Sequence, residues 1–228
     1  MPTKSESQAD AEISLRVMFD ASTIRTVIVA GLLSVPAGWA GSVIVERESG
    51  AGRHLSLGLM IASVAVAIWA AIVMPATWLL GATLLLGWIL CILSAVDLLV
   101  LRLPDIITLP LVAVGLLVSV WLPDHDPLGH AAGAATGFAL FYVIALVYRL
   151  LRSHEGLGLG DAKLAAAAGA WLGWQSLPSV MLIACAAAFA WVGLSVVNRG
   201  RAAAAGHIAF GVPLCIAFWL VWLYGPPL

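Results

Sequence analysis

Eight apolar runs separated by short polar links leave this chain few ways to fold. They extend from Ile24 to Val45, Leu55 to Val73, Trp78 to Val96, Ile106 to Trp121, Gly129 to Tyr148, Ala162 to Leu172, Pro178 to Val197 and Ile208 to Tyr224. About twenty apolar residues in a helix cross the hydrocarbon of a bilayer, and most of these runs have that length. Backbone polar groups in lipid must be satisfied within their own element, so the runs are read as helices. Composition agrees: of 228 residues, 62% are hydrophobic and 10% charged, against about 45–50% and about 25% in a soluble domain. A soluble globule of this composition would expose large apolar surface. The expected fold is all-α, a polytopic transmembrane helical bundle of about eight spans. The fourth and sixth runs are short, which a membrane protein tolerates where a helix lines an internal cavity, and both directly follow an acidic motif.

Residues 1–22 differ from the rest. They are polar and mixed in charge, with Lys4, Glu6, Asp10, Glu12 and Asp20. No positive segment leads into a cleavage site, so a signal peptide is not expected. Ile13–Phe19 has the pattern of a short interfacial turn, but a mobile polar tail is the simpler reading. Two parts are therefore expected: a tail, 1–22, and a transmembrane domain, 23–228.

Basic residues orient the spans. Arg47 and Arg53 follow the first run, Arg102 the third, Arg149, Arg152 and Lys163 flank the junction of the fifth and sixth, and Arg199 and Arg201 follow the seventh. The opposite links, Met74–Thr77, Pro123–Leu128 and Gly173–Leu177, hold no lysine or arginine. The positive-inside rule puts the first set in the cytoplasm, together with the two acids that end or begin a span there, Asp97 and Asp161. The formal net charge of −1 argues against a nucleic-acid partner. Cys91, Cys185 and Cys215 stand alone in apolar runs with no CxxC pair, so neither a zinc site nor a disulfide framework is expected. No metal and no cofactor is called for.

Ionisable groups at the ends of membrane helices are costly, and their default reading is functional. Asp97 and Asp161 lie on different runs at the same face. Two carboxylates held close cannot both ionise easily and share a proton. The ionised one can take a proton from water while the protonated one polarises a carbonyl, which is the chemistry of aspartic proteases. The pair titrates as a unit, so neither residue is assigned a fixed role. Gly158 and Gly160, just before Asp161, carry no Cβ and would allow positive-φ backbone or the close approach of a substrate backbone.

The residues also resemble a family. Gly158-Leu159-Gly160-Asp161-Ala162-Lys163-Leu164 resembles the GxGDxKL motif of type IV prepilin peptidases, the GxGD membrane aspartyl proteases. Ala95-Val96-Asp97 through Leu103-Pro104-Asp105 to Pro110 resembles their first aspartate motif. Gly41–Arg47 looks like their early GSFLNVVIxR segment, and His207–Pro213 like their late IPFGP motif, both altered. The resemblance covers nearly all of the chain after the tail. It implies that 23–228 is an aspartyl peptidase domain with Asp97 and Asp161 catalytic, and with Gly158, Gly160, Lys163 and Asp105 binding or positioning substrate. The implied partners are the lipid bilayer and prepilins or type II secretion pseudopilins, cleaved at the cytoplasmic face of a bacterial inner membrane. Many members carry paired CxxC motifs in a large loop after the first span. Here only Glu46–His54 occupies that place, which looks like a compact member and puts N-methylation of the cleaved product in question.

Other readings stay open. The two acids also fit a preflagellin-peptidase-like GxGD protease, or a small proton-coupled transporter using them as a relay. Asp105 reads as the N-cap of the fourth span, and Asp161 as a cap of the sixth that also does chemistry. Lys163 reads equally as an interface anchor or as a cation serving the acids. Trp78, Trp121 and Trp222 read as interfacial belt residues, and Gly133 with Gly137 as a GxxxG packing face inside the bundle.

Overall fold

The computed structural model describes residues 21–49, 54–75, 77–121, 126–152, 158–199 and 209–227. Among these, every regular element is helical: α1 (Ala21–Ser49), α2 (His54–Val73), α3 (Trp78–Val100), α4 (Asp105–Trp121), α5 (Pro127–Arg152), α6 (Leu159–Leu172), a 3-10 turn (Trp174–Ser176), α7 (Leu177–Arg199) and α8 (Gly211–Tyr224). The eight runs thus become eight α-helices. The polar tail expected over 1–22 lies outside the described residues except for Ala21 and Ser22, which open α1. His207 and Ile208 of the late motif also lie outside them.

Among the described residues, four helical stretches are long and apolar enough to cross a membrane: Thr23–Ser49, Trp78–Val100, Pro127–Val147 and Trp174–Asn198. Leu57–Val73, Asp105–Trp121 and Gly211–Tyr224 are shorter apolar helices. The remaining helix, α6, has 14 residues and rises only about 21 Å.

The chain forms two compact units, one from 1–43 with 53–88 and one from 44–52 with 89–228. In the first, the Trp88 indole N–H donates to Ser34 Oγ at 3.1 Å, and that hydroxyl donates to the Ala30 carbonyl at 2.6 Å. A Cβ on Gly38 would lie 2.8 Å from Met60 Cα, so α1 and α2 meet through a missing side chain.

In the second unit α6 is the central element. Ala162 and every residue from Leu164 to Trp171 are buried, because α4, α5 and α8 pack around it. Alanine and glycine make this contact close enough for backbones to touch. A Cβ on Gly133 would stand 2.5 Å from the Gly169 carbonyl oxygen, and one on Gly137 the same distance from that of Ala165. The GxxxG pattern of α5 is therefore an internal packing face, as expected from the sequence.

Trp171 ties the other side. Its ring covers Gly115 of α4, whose Cβ would fall 2.3 Å from Trp171 Cδ1. Its indole N–H donates to the Leu111 carbonyl at 2.9 Å, and it meets Trp222 edge-on with centroids 5.1 Å apart. Trp78 and Trp121 are exposed at helix ends, where belt residues belong. Trp222 departs from that expectation: it packs on α6, since a helix of small residues leaves space that a large ring fills.

Candidate active site

Asp97 lies in the last turn of α3, one turn further into regular structure than the apolar run suggests. The helix stops four residues later at Leu101, whose φ of 55° is left-handed. The Leu101 N–H donates to the Asp97 carbonyl at 3.0 Å, a single-bond αL cap. A residue with a Cβ adopts this backbone at a cost of about 1 kcal/mol. The chain then crosses through Leu103 and Pro104 into α4.

Asp161 lies in the first turn of α6. The N-cap is Gly158, with φ −72° and ψ 142°, and the Asp161 N–H donates to its carbonyl at 3.1 Å. In return the Asp161 carboxylate takes a backbone hydrogen bond from Gly158. This is the acidic half of a capping box, three residues inside the cap. Asp161 thus supports the helix start without being its N-cap, and its carboxylate is free to face inward.

The two acids meet. Both are buried, Asp97 with 5% and Asp161 with 8% of its surface exposed, and each carboxylate lies within the electrostatic reach of the other. Leu103 sits between the starts of α6 and α8. A Cβ on Gly160 would be 2.9 Å from Leu103 Cβ, and one on Gly211 would be 3.3 Å from Leu103 Cδ1. Two expectations about the glycines change here. Neither Gly158 nor Gly160 has a positive φ; among the described residues those that do are Leu101, Gly173 and Gly225. The space left by Gly160 is filled by Leu103, whereas Gly158 is exposed and a Cβ on it would meet no atom of the described residues nearer than 3.8 Å.

Asp105 and Lys163 correct a third. Asp105 is the first residue of α4, not its N-cap: the Pro104 carbonyl accepts from the N–H groups of Ile107 and Thr108, both at 3.1 Å. The Asp105 carboxylate instead accepts from Lys163 Nζ at 2.5 Å, joining α4 to the start of α6. Proline before Asp105 fixes the backbone where an N-cap side chain would have to fold back, and the nearby ammonium takes the carboxylate. Asp105 is 58% exposed and Lys163 23%, so the pair is worth at most about 1 kcal/mol. Asp105→Asn is therefore expected to lower the thermal midpoint by no more than about 3 °C, measured by unfolding in detergent; a drop above about 10 °C would show a larger structural role.

In the sequence, Leu103 and Gly211 are read only as parts of the first aspartate motif and of the altered late motif, with no role of their own. The signal for Gly211 is its place in the late motif, but nothing local says which acid it faces. Among the described residues no group of three or more histidine, cysteine, aspartate or glutamate side chains forms a metal-binding cluster.

Comparison with known proteins bears on the same segment. Residues 84–193 match the type IV leader peptidase family. A protein of Aeromonas hydrophila named prepilin leader peptidase/N-methyltransferase is 39% identical over 175 residues, 76% of this chain and 59% of the relative. Proteins of the same name from Burkholderia pseudomallei and Klebsiella pneumoniae are 41% identical over 135 residues (59% of this chain, 43% of the relative) and 46% identical over 115 residues (50% of each). The chain thus spans about three fifths or less of the length of these relatives. No solved structure matches it. Residues 84–193, which hold both buried aspartates, carry a type IV leader peptidase family domain.

Proposed function

We propose that this protein is a membrane aspartyl endopeptidase that removes the leader of type IV prepilins or type II secretion pseudopilins. The observation that carries this reading is the pair of buried carboxylates, Asp97 at the end of α3 and Asp161 at the start of α6. The family match and the relatives named prepilin leader peptidase support the substrate class. Acids at helix ends suit hydrolysis, which needs water, better than a transport relay, which would place them near mid-span. The peptidase domain is residues 23–228, and the protein sits in a bacterial inner membrane with the dyad toward the cytoplasm, where the basic links of the sequence place it.

The chemistry uses the pair as one unit. The ionised carboxylate takes a proton from a water molecule as its oxygen attacks the scissile carbonyl, and the protonated one hydrogen-bonds the developing oxyanion. Collapse of the tetrahedral intermediate breaks the C–N bond, and the leaving amine takes a proton from the dyad. No covalent intermediate and no cofactor is required. Methyl transfer is outside the proposal, although the relatives' names include it, because the link between α1 and α2 is only a few residues long.

The test is incubation of the purified full-length chain, in lipid vesicles, with a prepilin carrying its leader. Release of the leader is read by mass. No release by a folded parent protein would sink the proposal. Gly160→Ala is expected to slow release about a hundredfold, since its Cβ displaces Leu103 or the first turn of α6 that carries Asp161, and small displacements of reacting groups have costs of that order. Gly158→Ala, in open space, should lose much less. Equal rates for Gly160→Ala and the parent would separate Leu103 from the chemistry.

A further inference from the structure

Asp97 has an incomplete set of partners. Its side chain is buried, and among the described residues Oδ2 has no hydrogen-bond partner. What lies against it is the start of α8. The backbone N–H groups of Gly211 and Val212, the first two residues of that helix, face the carboxylate. A Cβ on Gly211 would stand 2.7 Å from Asp97 Oδ2 and 2.9 Å from Cγ. Any side chain at 211 would therefore occupy the place of the carboxylate. The first N–H groups of a helix have no partner within the helix and carry its positive end, so they suit an anionic group held at this distance.

We infer that Gly211 is a positioning residue for Asp97: its missing side chain lets the N-terminus of α8 seat the carboxylate and aim Oδ2 toward the reacting carbonyl or water. The inference rests on the peptidase reading. Gly211 does not touch substrate; it acts by fixing where Asp97 stands. The α6 acid has a different anchor, its own N-cap at Gly158, so the two carboxylates are held by two separate helix starts. One of these lies in a stretch of chain beyond residues 84–193.

The experiment compares the parent, Gly211→Ala, Val212→Pro and Ile216→Ala as full-length proteins in vesicles. Val212→Pro deletes one of the two N–H donors at a first-turn position where proline fits a helix. Ile216 is exposed on α8 and serves as the control. Gly211→Ala should lower kcat for leader release about a hundredfold with KM within about twofold of the parent, Val212→Pro should lower kcat about tenfold, and Ile216→Ala should match the parent. A second measurement needs no activity. Gly211→Ala should lower the thermal midpoint by about 3 °C or more with Asp97 present, and by much less in the Asp97→Ala background, where the carboxylate is gone.

Parent-like kcat in Gly211→Ala, or an equal thermal cost in both backgrounds, overturns the inference. A parent that releases no leader, with the thermal coupling intact, overturns the peptidase reading and leaves the Gly211–Asp97 contact standing.

Discussion

Asp97→Asn and Asp161→Asn are each expected to reduce leader release about a thousandfold or more, equivalent to about 4 kcal/mol of transition-state stabilisation. Asparagine keeps the volume of aspartate, so the buried packing around both residues should survive. What it removes is the ability to take up and give back a proton. A dyad works because one proton is shared between two sites; with one site gone, neither attack by water nor departure of the amine has its partner. The effects should not add: the double variant should be no slower than either single one, since each already removes the whole unit. Rates measured at equal membrane abundance test this. Turnover near that of the parent in either single variant would rule out the paired mechanism.

The largest effect on stability is expected at Gly169. A Cβ there would lie 2.1 Å from the Gly133 carbonyl oxygen and 2.3 Å from its carbon. These are backbone atoms of α5, which cannot rotate away as a side chain can, so the two helices must separate along their length. Overpacking of a core typically costs about 1–3 kcal/mol, and the upper end applies where no side chain can yield. Gly169→Ala should lower the thermal midpoint by about 10 °C. Gly81→Ala is the matched control. It is an exposed glycine inside α3 with nothing within 4 Å, and alanine there should be neutral or slightly stabilising because it favours helix. If the two variants melt alike, the close α5–α6 contact is not a determinant of stability.

The element pattern was legible because lipid imposes a simple rule. Eight apolar runs became eight helices, and the GxxxG face of α5 found its partner inside the protein. That Asp97 and Asp161 stand apart from the other acids was legible from chemistry and resemblance, and both are buried within electrostatic reach of each other. The details that follow from through-space contact were not. Asp105 looked like a cap because it precedes an apolar run, yet Lys163, 58 positions away in sequence, holds its carboxylate. Gly160 looked like a place for substrate, yet Leu103 occupies it. Trp222 looked like a belt residue, yet Trp171 receives it. In each case the deciding neighbour lies on another helix, and no periodicity or local motif encodes which helix that is.

The position of α6 has a consequence for how the protein comes to exist in a membrane. A helix of 14 residues, mostly alanine and glycine, gains little from entering lipid alone, because alanine offers little apolar area. Two of the helices that enclose it, α4 and α5, precede it in the chain, but α8 follows it after the whole of α7. On a ribosome working from the N-terminus, α6 therefore leaves the translocation machinery before its enclosure is complete. Trp222 and Gly211, which close over Trp171 and Asp97, arrive only after α7. Until they do, the two aspartates are already in the membrane, but the second of the helix starts that hold them is missing. Alignment of the two acids is thereby tied to the synthesis of α8, and a nascent chain still lacking that helix carries both acids without the second of their anchors.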